Sequence, residues 1–338
     1  MNHTIARLLG AASLLLALAT AHAADTMVYM KPGGNDQASG KSEADAVATL
    51  QMAVKRVLAL PVDSGGSRKV MVLPGTYLAQ TAVVADLPDD KPLVITGSTG
   101  AGQRPVFDGN GKGRAWLQLD SATGRTTRLT IEGIEVASYV TAISLNGNRE
   151  AQGNFNAENV IHKNLFRDIG QIAFPSGKPS TAAVRLVNSR NNRITDNRFV
   201  NIRNNTGCGA LHAIYIAHYS SGNLIEGNTF DGGCGAAVKT RDGSGGNMVK
   251  DNRFIDQTEP VFLDSFCNKD SRDDCTKETS ECPSWGNEFK DNTTAKLGPK
   301  ARKMPVQVAG PDSAAGCPPP PSRSSRRLQE SNTRSGDR

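Results

Sequence analysis

The segment "HAIYIAHY" (212–219) places four side chains able to move protons within eight residues: His212, Tyr215, His218 and Tyr219. Segments of similar pattern on either side, "AAVRLV" (182–187) and "VKTRDG" (238–243), bring Arg185, Lys239, Arg241 and Asp242, and "PVFLD" (260–264) adds Asp264. Cations beside proton-transfer groups suit β-elimination on a uronic-acid saccharide. Positive charge on the sugar carboxylate acidifies the C5 proton, a base removes it, and an acid reaches the departing glycosidic oxygen. Arg241, Lys239 or Arg185 could supply the charge, and a guanidinium grips a carboxylate at two points. Tyr215 or His218 could be the base or the acid, the tyrosine with a pKa lowered by the cations around it. His212, Tyr219, Arg185, Asp242 and Asp264 are expected to meet the substrate.

The same residues admit blander roles. Arg, Lys and Tyr are ordinary on a solvated sheet face, and Arg241 could simply pair with Asp264 on the next strand. His212 and His218 could cap strand ends. Two other classes of function also fit. A glycoside hydrolase would need a carboxylate pair, for which Asp242 and Asp264 are the candidates. A non-catalytic protein that binds a polysaccharide or assists its export would need only the cationic column and tyrosines to stack on sugar rings.

What positions these residues is a repeat. "NVIHKNLF" (159–166), "NRITDNRF" (192–199), "NLIEGNTF" (223–230), "NMVKDNRF" (247–254) and "NEFKDNTT" (287–294) share one frame. Its sixth position is always asparagine: Asn164, Asn197, Asn228, Asn252 and Asn292. The short alternating runs between copies have central apolar residues Val184, Ile214, Val238 and Val261, spaced by 30, 24 and 23 residues. No single unit can bury its apolar face, but stacked units share one core. Strand-length runs with small turns and no helical period predict an all-β parallel β-helix. The asparagines would form a ladder at a left-handed turn, bonding from coil to coil. With the four central residues inward, Arg185, Tyr215 and Lys239 point outward in one column, and strand neighbours lie about 4.8 Å apart.

The flanks complete the organisation. "MNHTIARLLGAASLLLALATAHA" (1–23) has one arginine, an apolar run and an Ala-x-Ala site, which reads as a cleaved Sec-type signal peptide and a periplasmic or extracellular address. A capping helix is predicted over 42–60, starting at Ser42, with Val47, Leu50, Val54 and Val57 on one face. The β-helix domain is expected over 24–296, with a cysteine-containing loop at 265–286. Residues 297–338 are Pro-, Ser- and Arg-rich and are expected to be a disordered basic tail. That tail holds eight Lys or Arg against three Asp or Glu, so most of the formal net charge of +6 sits there and in the leader. The body is near neutral, so the high pI is no sign of nucleic acid, and no nucleic-acid partner is expected. Cys208, Cys234, Cys267, Cys275, Cys282 and Cys317 all lie in the last 131 residues. In an oxidising compartment they suggest disulfides of open connectivity, with Cys208 and Cys234 placed to staple adjacent coils.

Taken together these residues resemble the pectate-lyase-like right-handed parallel β-helix proteins, which implies that handedness here. The lead-in "YMKPGGNDQASGKSEADAVATLQMAV" (29–54) and the first coil "VLPGTY" (72–77) are similar to those of extracellular members, over roughly 28–296. A narrower likeness is to the family containing chondroitinase B and alginate lyases. That family carries a catalytic lysine just before "SS-x-N" and an arginine in "LRHG" on the next coil. Here "HYSSGN" is followed by "VKTRDG": Arg241 falls at the arginine, Asp242 replaces the histidine, and Tyr219 stands in the lysine's register. The resemblance implies a polysaccharide lyase or a relative of one, acting as a monomer on an acidic polysaccharide with no membrane span. No cofactor is required, since the cations could do the work that calcium does elsewhere, though calcium could take part.

Overall fold

In the computed structural model, the described residues are 25–336 apart from short stretches at 86, 88–90, 99–101, 113, 174, 206–207, 270–274, 277–279 and 323–324. The leader expected over 1–23 lies outside them. Three long parallel sheets of ten, nine and eight strands run the length of the molecule. Each coil contributes a strand to each sheet in turn, which is a right-handed parallel β-helix.

Buried amides hold the coils in register. Asn164, Asn197, Asn228, Asn252 and Asn292 stack, each Nδ2 donating to the Oδ1 of the next at 3.0–3.1 Å. Each Oδ1 also accepts the backbone N–H of the preceding rung, as Asn228 Oδ1 does from Asn197 N at 2.9 Å. The left-handed residue of each turn is the one just before the asparagine: Lys163, Asp196, Gly227, Asp251 and Asp291. A second ladder, which the repeat also encodes, runs through the first position of each copy: Asn159, Asn192, Asn223, Asn247 and Asn287. Inside, Phe166, Phe199, Phe230, Phe254 and Phe289 stack with centroids 4.8–5.8 Å apart. The last copy lacks the terminal phenylalanine, and Phe289 fills the rung from its third position.

The capping helix is shorter than the sequence pattern suggests. It spans Leu50–Leu58, is capped by Thr49 and buries Leu50, Ala53, Val54 and Val57 against the first coil. Ser42 does not start it, because the backbone at Val47 exchanges hydrogen bonds with Tyr29 and Lys31 and is extended. Asp36 braces the lead-in, accepting from Ala48 N and Thr49 N at 2.9 Å, while Thr49 Oγ1 accepts from Met52 N.

Over its described residues, the region 297–336 is not a disordered tail. It supplies a short helix, Pro299–Lys303, and three strands that complete the last coil. Val306–Val308 pairs with Phe262–Asp264, Leu328–Ser331 with Asn287–Lys290, and Arg334–Ser335 with Thr293–Thr294. A Cys282–Cys317 disulfide and a buried ion pair from Arg327 Nη2 to Asp264 Oδ2 at 2.6 Å fasten it. The composition hid this because the terminal strand is a repeat without its apolar centre: Glu330 lies opposite Phe289.

The ladder sets a testable cost. Asn228→Ala removes a side chain that serves two donors of Asn197 and donates to Ile194 O and Asn252 Oδ1. Leaving several buried groups unpaired should destabilise the fold by about 3 kcal/mol or more. Urea unfolding of the variant against the parent reads this directly, and a loss under about 1 kcal/mol would mean that the amides do not set the register.

Candidate active site

The site lies on the eight-stranded sheet. Ser144, Arg185, Tyr215, Lys239 and Leu263 are aligned across five neighbouring strands, so Arg185 and Lys239 flank Tyr215. One strand breaks the expected column. Phe262, not Val261, is aligned with Val238, a slip of one residue that turns Asp264 inward. Asp264 is fully buried, accepts from Thr240 Oγ1 at 2.9 Å and is gripped by Arg327 through both Nε and Nη2. It therefore cannot meet a substrate, nor does it pair with Arg241.

The turn after this sheet forms a second column, in which Asn188, His218 and Asp242 occupy the same place on consecutive coils. All three have left-handed backbones, with φ of 44°, 53° and 52°. Tyr219 is left-handed as well, at 65°. Two such residues in succession without glycine cost about 1–2 kcal/mol each, and His218 is held in this conformation by its partners. Its Nδ1 lies 2.6 Å from Asp242 Oδ2 and its Nε2 lies 3.0 Å from Arg149 Nη2. A guanidinium can only donate, so Nε2 must accept, and the proton belongs on Nδ1 facing the carboxylate. One tautomer satisfies both bonds: a neutral ring with its basic nitrogen turned toward the cleft.

That cleft encloses about 290 Å³ and is lined by Arg149, Arg185, Tyr215, His218 and Asn146, with Thr181 and Val187. Arg185 donates to Ser144 Oγ at 3.0 Å and Asn146 Oδ1 at 3.1 Å, both neutral acceptors. Burial, and then Arg149 nearby, lower its pKa, opposed by Tyr215 and Asp120. A buried guanidinium whose hydrogen-bond acceptors here are neutral keeps its full charge and favours an incoming anion. Tyr215 does not behave as its cationic neighbours suggest. Burial is the largest influence and pushes its phenol above the usual value, while Arg241 beside it pulls the other way. Tyr215 thus keeps its proton and is suited to give it rather than take one.

The wall behind Tyr215 and His218 is built by the cysteine loop. Arg241 is bound by both oxygens of Glu281, at 2.8 Å from Nε, and also reaches the Tyr215 hydroxyl. Glu281 accepts in turn from Cys267 N at 2.9 Å. The neighbouring Cys282 N lies 3.4 Å from Asp242 Oδ1, and Cys282 O accepts from Gly243 N at 2.9 Å. Disulfides Cys267–Cys275 and Cys282–Cys317 brace the loop. Cys234 is disulfide-bonded too, and the side chain of Cys208, its expected partner, lies outside the described residues. His218, Asp242 and Glu281 offer ligand atoms within 4.8 Å of one another, a set that could admit a divalent cation. As arranged, the imidazole proton and the Arg241 guanidinium occupy those carboxylates, so a cation would have to displace both.

Of the residues singled out in the sequence, the structure brings Tyr215, His218 and Arg185 to the cleft, with Asp242 and Arg241 directly behind. Lys239 lies beside Tyr215 on the next strand, and Tyr219, its ring against Gly243, is not among the residues lining the cleft. His212 is buried below, stacked on Tyr215 at 5.8 Å and bonded through Nδ1 to Ala236 O at 2.8 Å. Arg149 and Glu281 carry no signal in the repeat. They come from turns between repeats, where only proximity in the fold reveals them.

Burial, and next Lys239, drive the His212 pKa from 6.5 down to about 3. Between those values the unfolded ring binds a proton that the folded ring refuses, so this stabilisation is complete above about pH 6.5 and is lost as pH falls toward 3. The slope from one such group is at most about 1.4 kcal/mol per pH unit. His212→Asn, whose amide can replace Nδ1, should flatten the decline between pH 6.5 and 4 in urea unfolding; parallel slopes would show that the ring is not held neutral.

No protein-family model matches the chain, and no curated protein matches it in sequence. Solved structures do match in fold. An alginate lyase from Paenibacillus sp. str. FPU-7 is 14% identical over 92% of this chain and 98% of its own, with a TM-score of 0.51. Pectate lyase Pel9A is 12% identical over 93% of this chain and 78% of its own, with a TM-score of 0.50. At this identity the likeness is one of architecture: the chain has the pectate-lyase-like parallel β-helix fold.

Proposed function

We propose that the chain is a polysaccharide lyase that cleaves an acidic, uronate-containing polymer by β-elimination. The observation that carries this reading is the hydrogen-bonded series Arg149–His218–Asp242, set in one cleft with Tyr215 and Arg185. Two structures of the same fold are named as alginate and pectate lyases, which supports an acidic polysaccharide as the substrate class. The disulfides support an oxidising compartment, periplasmic or extracellular.

The residues divide the chemistry as follows. Arg185 and Arg149 hold the uronate carboxylate and spread the charge that builds on it as the C5–H bond breaks. His218 Nε2 takes that proton, and Asp242 stabilises the imidazolium through Nδ1–H. The C5 electron pair forms the C4–C5 double bond as the C4–O bond breaks. Tyr215 gives its proton to the leaving oxygen, and Arg241 stabilises the phenolate. Proton exchange with water returns Tyr215 and His218 to their starting forms. This inverts the alternative in which the tyrosine is the base, and burial of Tyr215 is the reason. A hydrolase has less support: Asp264 is sequestered by Arg327 and Asp242 by His218, which leaves the candidate carboxylate pair with no member facing the cleft. This scheme routes no step through a metal.

The test uses the whole mature chain, residues 24–338, since the terminal region completes the last coil. Alginate, polygalacturonate, glucuronan, chondroitin and hyaluronan are followed by ultraviolet absorbance of the new double bond, with calcium and with chelator. One polymer should give a rising trace that chelator does not abolish. His218→Ala and Tyr215→Phe should each lower kcat on that polymer by about 10²–10⁴-fold with circular dichroism unchanged. Reducing ends without absorbance would overturn elimination in favour of hydrolysis. Silence on every polymer together with measurable binding would make the chain a binding protein.

A further inference from the structure

Arg149 sits where a base should be open. Its Nη2 hydrogen bond engages the lone pair of His218 Nε2, the nitrogen that the proposed reaction requires, while Asp242 holds the other side of the ring. A lone pair committed to a donor cannot accept a proton until that donor leaves.

The loop that delivers Arg149 is built for the purpose. Asn188, fully buried and one rung from His218 in the left-handed column, donates through Nδ2 toward four carbonyls of residues 148–154. These are Asn148 O and Ala151 O at 2.9 Å, Asn154 O at 3.2 Å and Gln152 O at 3.3 Å. Asn148 Oδ1 accepts from Glu150 N and Ala151 N, and Arg190 reaches Gln152 O while stacking over Phe155 at 4.5 Å. The backbone of the loop is thereby fixed, yet the Arg149 side chain at its tip is 61% exposed. Its other ionic partner is the solvated Glu150, 3.5 Å from Nε. Pairs of that kind contribute little. The guanidinium is therefore anchored at its base and free to swing at its end.

We infer that Arg149 is a carboxylate-responsive cover on His218, displaced from Nε2 when an acidic sugar enters beside Arg185. A two-point guanidinium–carboxylate bond is stronger than a single N–H···N bond to a neutral ring. A uronate therefore draws Arg149 away and uncovers the base in the same event. A neutral sugar or a methyl ester offers no such exchange, and His218 stays covered. Arg149 acts as a specificity-determining residue, with Asn188 positioning it. The inference rests on His218 being the proton acceptor of the proposed reaction, but its test does not depend on turnover.

Two measurements on the mature chain carry the test. The first is acylation by diethyl pyrocarbonate, located by peptide mass mapping, with the part-exposed His162 as internal reference. Arg149→Met retains bulk and removes the donor, and should raise the acylation rate of His218 relative to His162 about tenfold. Asn188→Ala, which loosens the loop, should raise it several-fold. The second is calorimetric binding of an oligouronate and of its methyl ester. Arg149→Met should weaken the acid about tenfold and leave the ester unchanged. An unaltered acylation ratio in Arg149→Met, or equal weakening of both ligands, would overturn the cover. If both results hold while no polymer is cleaved, the lyase reading falls and the carboxylate-responsive contact stands.

Discussion

Everything in this molecule depends on the requirement that each turn's buried backbone and amide groups be satisfied by the coil beside it. A β-helix turn has no partner within its own coil, and burying it unpaired would be costly. The two asparagine ladders meet that demand by bonding coil to coil on one side of the helix. Where the chain leaves the eight-stranded sheet, ahead of the second ladder, stand left-handed residues whose side chains differ from rung to rung. Asn188, His218 and Asp242 are the variable steps of that column. The site is thus a place where a structural ladder has been given titratable members. Asn188 organises a loop, His218 presents a nitrogen to the cleft, and Asp242 answers it from the next coil.

Charge is distributed to the same end. Asp264 and Arg327 neutralise each other in the interior, and Glu281 consumes Arg241 behind the cleft. Breaking either pair would strand a charge in a poorly solvated place. What remains facing the cleft is cationic: Arg185 on neutral acceptors and Arg149 on an imidazole. The asymmetry makes the cleft cationic, and burial keeps the proton on Tyr215.

How much of this the residues alone revealed follows from where each lies. The repeats made the coil architecture and one asparagine ladder legible, because stacking forces the same residue types to recur at coil spacing. The second ladder was equally written in the first position of each copy. The alignment of Arg185, Tyr215 and Lys239 followed from alternation along three regular strands. Alternation failed at Val261, where a loop of different length shifted the strand by one residue and carried Asp264 into the core. Arg149 and Glu281 come from turns whose lengths and paths no periodicity constrains. The terminal strand escaped notice since Glu330 occupies its apolar place, and its pairing depends on a coil already built beneath it.

The attachment of Arg327 and Cys317 bears on the order in which the molecule can be finished. A solenoid can assemble coil by coil as its chain is made, from the capping helix onward. Glu281 and Cys282, which back Arg241 and Asp242, belong to a loop locked by Cys317, and the adjoining carboxylate of Asp264 needs Arg327. The cleft walls can therefore stack early, yet the backing of His218 and Tyr215 is fixed only after residues about a hundred positions later have emerged and folded back. Competence at the centre of the helix is in this way made conditional on completion of its far end.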